Sequence, residues 1–127
     1  MNSAETSKKI LIMEDDPFIA RMYVKKLTKM HYKVKQADNG LEGLDILKIY
    51  KPDLIMLDII MPQMDGFEVI RKIKEKKELA SIPILLLSNL GEREHIEKGL
   101  ALGADDYVIK AHFTPEEVIK RIKKLLR

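Results

Sequence analysis

The chain has 127 residues, no cysteine and a formal net charge of +3, with 46% hydrophobic and 34% charged residues. That is one domain with a single packed core rather than a disordered chain, and the missing cysteines exclude disulfides and thiolate metal sites, as suits a reducing cytoplasm. No apolar run approaches the ~20 residues of a membrane span, and the lysines spread along helical segments read as solvated faces rather than a nucleic-acid footprint.

Residues 1–7 read as a loose polar arm ahead of a domain spanning 8–127. The first apolar run, "ILIM" (10–13), leads straight into Glu14, Asp15 and Asp16 and then Pro17. Ile19, Met22, Tyr23, Leu27 and Met30 then place an apolar stripe on a helix over 17–30, with Asp16 as its N-cap. "YKVKQA" (32–37) is the second strand. "DNG" turns the chain into a helix carrying Leu41, Leu44, Leu47 and Ile49, which must close before Pro52. "LIML" (54–57) runs into Asp58, and a third helix over 66–76 presents Phe67, Val69, Ile70 and Ile73. "PILLL" (83–87) ends at Ser88, a fourth helix over 92–102 is stopped by Gly103, and "YVI" (107–109) ends at Lys110. The last helix opens on "TPEE", with Thr114 as N-cap, Pro115 at its first position and Glu117 completing a capping box.

Strands alternating with helices, most of the strands apolar without alternation, imply a parallel sheet covered on both faces. The expected fold class is α/β: a doubly wound five-stranded parallel sheet, strand order 2-1-3-4-5, with five helices. Such sheets bind ligands at the carboxyl ends of their strands. Each residue found there has an ordinary role when taken alone, as a cap, a turn or a solvated group. Together Glu14, Asp15, Asp58, Ser88 and Lys110 share one crevice. Carboxylates ~4 Å apart repel by roughly 4 kcal/mol at an effective dielectric near 20. A hard divalent cation, Mg²⁺, relieves that repulsion, with a lysine and a hydroxyl beside it for a phosphate.

"ILIMEDD", "LIMLDIIMPQMDG", "LLLSN" and "GADDYVIK" resemble, in order, four motifs of the response regulator receiver domain of two-component signalling, of chemotaxis-regulator type. The resemblance runs from Lys8 to Leu126. It implies that Asp58 accepts a phosphoryl group from a histidine kinase or a histidine phosphotransfer protein. It also implies that Glu14 and Asp15 hold Mg²⁺ together with Asp58 and the backbone carbonyl of Ile60, Asp15 being favoured as the direct ligand. By the same resemblance Lys110 contacts the phosphate, Ser88 and Tyr107 form the switch, and the change is read on the face of helix 4, strand 5 and helix 5 by a protein target. A receiver of this kind is a phosphoacceptor, not a turnover enzyme. The alternative is a receiver-like interaction module that is never phosphorylated. A haloacid-dehalogenase-like phosphatase would need a DxDx[TV] signature that "EDDPFI" lacks, and a flavodoxin would not put three anions where its phosphate loop belongs. The chain departs from the family pattern at Ala111, where proline is usual, and at Ile60 and Leu90, where polar residues are common. Ala111 predicts a trans Lys110–Ala111 bond, since cis costs about 3–4 kcal/mol before a residue other than proline. "KRIKK" (120–124) reads as a solvated helix face, with partner contact as its functional alternative. Direct contact with nucleic acid or membrane is not expected.

Overall fold

The computed structural model describes residues 7–127, so the arm expected over 1–7 lies outside the described residues except for Ser7. The elements alternate as β1 (Lys9–Met13), α1 (Pro17–Lys29), β2 (Lys33–Ala37), α2 (Gly40–Ile46), β3 (Leu54–Leu57), α3 (Gly66–Glu75), β4 (Ile84–Ser88), α4 (Arg93–Leu102), β5 (Asp106–Ile109) and α5 (Pro115–Leu125). All strand pairs are parallel and the order is β2-β1-β3-β4-β5, as expected.

The sheet divides the core in two. Leu11, Met13, Ile55, Leu57 and Leu86 point to the face covered by α2, α3 and α4, where Val69, Ile70 and Ile73 meet them. Ile10, Ile12, Met56, Leu85 and Leu87 point the other way, onto Tyr23 and Leu27 of α1 and Val118, Ile119 and Ile122 of α5. The alternation is the two-residue period of a pleated strand, and both sides are apolar because both are covered. Burying one such side chain contributes roughly 1.5–3 kcal/mol, against about 1 kcal/mol for a helix cap. Packing therefore holds α5 down, and its observed capping box at Thr114 and Glu117 mainly fixes where it starts. Edge strand β2 is the least buried of the five, with Lys33 and Lys35 exposed. Charged side chains of this kind guard an open edge against pairing with another chain.

Two expectations need correcting. The second helix stops at Ile46, and Ile49, expected on its apolar stripe, is 92% exposed. The chain turns over Leu47–Tyr50, so Ile49 leaves the helical period and points outward. The first helix likewise ends at Lys29, with Met30 as its C-cap. Beyond β5 the chain makes an unforeseen 3₁₀ turn over Lys110–His112. No peptide bond among the described residues is cis, so Lys110–Ala111 is trans as expected. Gly103, at φ 117°, closes α4 in the left-handed conformation that glycine adopts without strain.

Candidate functional site

The crevice forms where β1, β3, β4 and β5 end side by side. Asp58 is brought level with the end of β1 by its N–H, which donates to the Met13 carbonyl at 3.0 Å. The same register puts Glu14 one residue past Met13, its N–H donating to the carbonyl of Ala37 at 3.1 Å. Among the described residues the buried polar or charged side chains are Glu14, Asp58 and Ser88. All three sit at strand ends on this one edge. Burying charge costs far more than burying a methyl group, so their concentration there marks a place kept for chemistry rather than for stability.

Lys110 holds the carboxylates together. Its Nζ lies 2.7 Å from Glu14 Oε1 and 3.1 Å from Asp58 Oδ2. Glu14 Oε2 also accepts from the Asp16 N–H at 3.1 Å. Burial pushes the Glu14 carboxyl up to about 7; the Lys110 hydrogen bond opposes this, while the neighbouring Asp58 charge adds to it. For Lys110, burial favours the neutral amine, but the two carboxylates outweigh it, and the ammonium is held above its ordinary range. Burial, with a smaller contribution from Asp58, raises the Tyr107 phenol.

Oxygens of Glu14, Asp15 and Asp58 all lie within 4.8 Å of one another, and Asp15 stands exposed at the rim. This is a donor set of hard oxygens, open on one side to water, and it fits an Mg²⁺-sized cation that keeps part of its hydration shell. Asp16 does not join it. Its Oδ1 accepts from the N–H groups of Phe18 at 2.9 Å and Ile19 at 3.3 Å, as the expected cap of α1. Ile60, proposed from the resemblance to offer its carbonyl, donates its own N–H to Asp58 Oδ1 at 3.4 Å.

Ser88 and Tyr107 meet through the loop between them. Ser88 Oγ accepts from the Leu90 N–H at 3.4 Å, and the Tyr107 hydroxyl donates to the Leu90 carbonyl. One residue not foreseen in the sequence belongs here. Asn89 Oδ1 accepts from the Ala111 N–H at 3.1 Å, tying this loop to the turn that carries Lys110. A proline at 111 would have no N–H to donate, so the departure at Ala111 and the Asn89 contact go together. "SN" after a buried strand was the available signal.

The sequence matches the family model of the response regulator receiver domain over residues 10–123. It is 40% identical over 119 residues to the DNA-binding dual master transcriptional regulator RpaA of Synechocystis, covering 94% of this chain and 49% of that protein. It is 41% identical over 119 residues to the transcriptional regulatory protein CusR of Escherichia coli K12, covering 94% of this chain and 51% of that protein. The chain thus spans about half the length of these relatives. Among solved structures, chemotaxis response regulator CheY4 of Vibrio cholerae superposes with a TM-score of 0.88 at 30% identity, covering 94% of this chain and 99% of that one. The fold, the strand-end crevice and a family match over most of the chain agree: the protein belongs to the response regulator receiver domain family of two-component signalling.

Proposed function

We propose that the domain is a phosphorylation-controlled switch with Asp58 as its phosphoacceptor. The observation that carries this reading is the Lys110 ammonium bridging Glu14 and Asp58 beside the exposed carboxylate of Asp15. An Asp58 carboxylate oxygen attacks the phosphorus of a phosphohistidine on a kinase or phosphotransfer protein. The P–N bond breaks, the imidazole leaves, and an acyl phosphate remains on Asp58. Transfer of this kind demands in-line positioning and neutralised charge more than covalent help. Lys110 supplies one cation aimed at the phosphoryl oxygens. Glu14, Asp15, Asp58 and the Ile60 carbonyl would hold Mg²⁺, whose charge, when bound, neutralises both the acidic cluster and the incoming phosphoryl group. Ser88 then turns its hydroxyl to a phosphoryl oxygen and Tyr107 follows, changing the surface that a protein target reads. The domain does not turn over substrate, and it works in the cytoplasm.

The test is phosphorylation of the purified domain by acetyl phosphate, with and without Mg²⁺, followed by intact mass. One acid-labile phosphoryl group should appear only with Mg²⁺ and be lost in Asp58→Asn, which removes the nucleophile at nearly constant volume. Full phosphorylation of that variant, without relocation to a neighbouring side chain, would overturn the assignment. No phosphorylation of the parent under any condition would favour the interaction-module alternative.

A further inference from the structure

On the sheet face opposite Tyr107, α1 and α5 leave an open groove of about 640 Å³ between them. Its floor is apolar: Ile119 is buried, and Met22 and Met30 are half-buried. Its walls are cationic. Lys25 and Lys29 stand one turn apart on α1, and Lys120 and Lys123 stand one turn apart on α5. Lys26 also lines the groove but is paired at 3.0 Å with Glu116, the one acidic side chain of the lining. None of the other four lysines forms an ion pair among the described residues. Lys25 and Lys29, four residues apart on α1, repel each other. Although Lys120 interacts with Glu117 on its own helix, an anionic occupant would relieve the repulsion on the α1 wall.

We propose that this groove docks an acidic amphipathic helix of a protein partner. Apolar side chains at i, i+3, i+4 and i+7 would enter over the methionines, which adapt their shape to what they meet. Glutamates or aspartates on either flank would face the two lysine rows. A second copy of this chain fits poorly, since an isologous dimer here brings one set of lysines against the other. Nucleic acid fits less well because the lining offers neither an arginine fork for phosphates nor an aromatic ring for stacking. A membrane surface is flat, whereas this apolar floor is recessed between charged walls. The proposal does not depend on Asp58 chemistry.

The probe is a fluorescein-labelled peptide of about 16 residues with leucines at helical spacing and glutamates on both flanks. Its anisotropy is read against the full chain at low and high salt. Saturable one-to-one binding is expected, weakening as salt screens the lysines. A scrambled peptide of equal composition should bind at least tenfold more weakly. Joint reversal of Lys25, Lys29, Lys120 and Lys123 to Glu should lower affinity at least tenfold without changing the circular dichroism. Met22→Ser with Met30→Ser should also weaken binding, whereas Lys51→Glu with Lys77→Glu, and separately Asp58→Asn, should not. Equal binding of the scrambled peptide, an affinity unmoved by the four reversals, or no peptide binding would overturn the proposal. So would duplex DNA or phosphatidylserine vesicles binding through these lysines more tightly than the peptide.

Discussion

At Glu14 burial and pairing pull in opposite directions, and burial wins. The carboxyl sits at about 7 in the folded chain, against an ordinary 4.5. An acid whose pKa rises on folding favours the fold while protonated. Its contribution is complete below about 4.5 and is lost as pH rises through about 7, on the order of a few kcal/mol in all. In the metal-free protein, the stability difference between the parent and Glu14→Gln should therefore move against the parent between pH 5 and 8. Mg²⁺ held as proposed would favour the ionised carboxylates, so its stabilisation should grow over the same range. Urea titrations in EDTA and in saturating Mg²⁺ measure both. A parent-minus-variant difference that stays flat with pH would mean that Glu14 is not held in its neutral form. The residue types at this site were legible because the strand order brings side chains with ordinary uses of their own to one sheet edge. The balance at Glu14 was not, since it depends on Lys110 reaching back across 96 positions.

The elements themselves were nearly all legible, because period and punctuation agree along most of the chain. They failed where packing overrides period. Ile49 follows the leucines of α2 but falls beyond the helix and is exposed. The step from β3 to α3 shows what a sequence leaves unread. Asp65 caps α3 through the Glu68 N–H, and Gly66 donates its N–H to the Ile59 carbonyl at 2.8 Å. A Cβ on Gly66 would come within 2.5 Å of the Asp58 carbonyl oxygen and 2.7 Å of Ile59 Cα. Both obstacles are backbone and cannot rotate away, so α3 would have to shift off the strand end that carries Asp58. Gly66→Ala should destabilise the domain by about 1–3 kcal/mol, the usual range for overpacking. Phosphorylation by acetyl phosphate should slow as well, since Asp58 moves with its backbone. Gly91→Ala is the control. There the added atom meets only the flexible Ile109 side chain, at 3.2 Å, and both effects should be small. Equal losses in the two variants would count against a special role for the close approach at Gly66.

Across the whole molecule, the sheet keeps two sets of contacts apart. Tyr107, Leu90, Ile96 and Ile109 pack with the α2–α3–α4 side, whereas Tyr23, Leu27, Ile119 and Ile122 pack on the α1–α5 side. The loop after β4 links the side chains proposed to respond. Ser88 holds the Leu90 N–H, Leu90 holds the Tyr107 hydroxyl, and Asn89 holds the turn bearing Lys110. In the proposed switch, Ser88 turning toward a phosphoryl group on Asp58 would take the acceptor from the Leu90 N–H, and the carbonyl that anchors Tyr107 would shift with it. Helix α5 is seated differently. Val118, Ile119 and Ile122 are buried in the opposite core, and Arg121 grips Asp106 through two hydrogen bonds of 2.9 and 2.8 Å. We therefore expect the phosphorylation signal to appear at the β4–α4 loop, α4 and β5, with α5 acting as a fixed wall. Hydrogen exchange of the phosphorylated and unphosphorylated domain reads this directly. Amides from Ser88 through the first turn of α4 should change rate at least tenfold, about 1.4 kcal/mol in local opening energy, while those of α1 and the second half of α5 stay within error. Changes of similar size on α1 would mean that the sheet transmits the switch instead of insulating it, and the lysine-walled groove would then be under phosphorylation control.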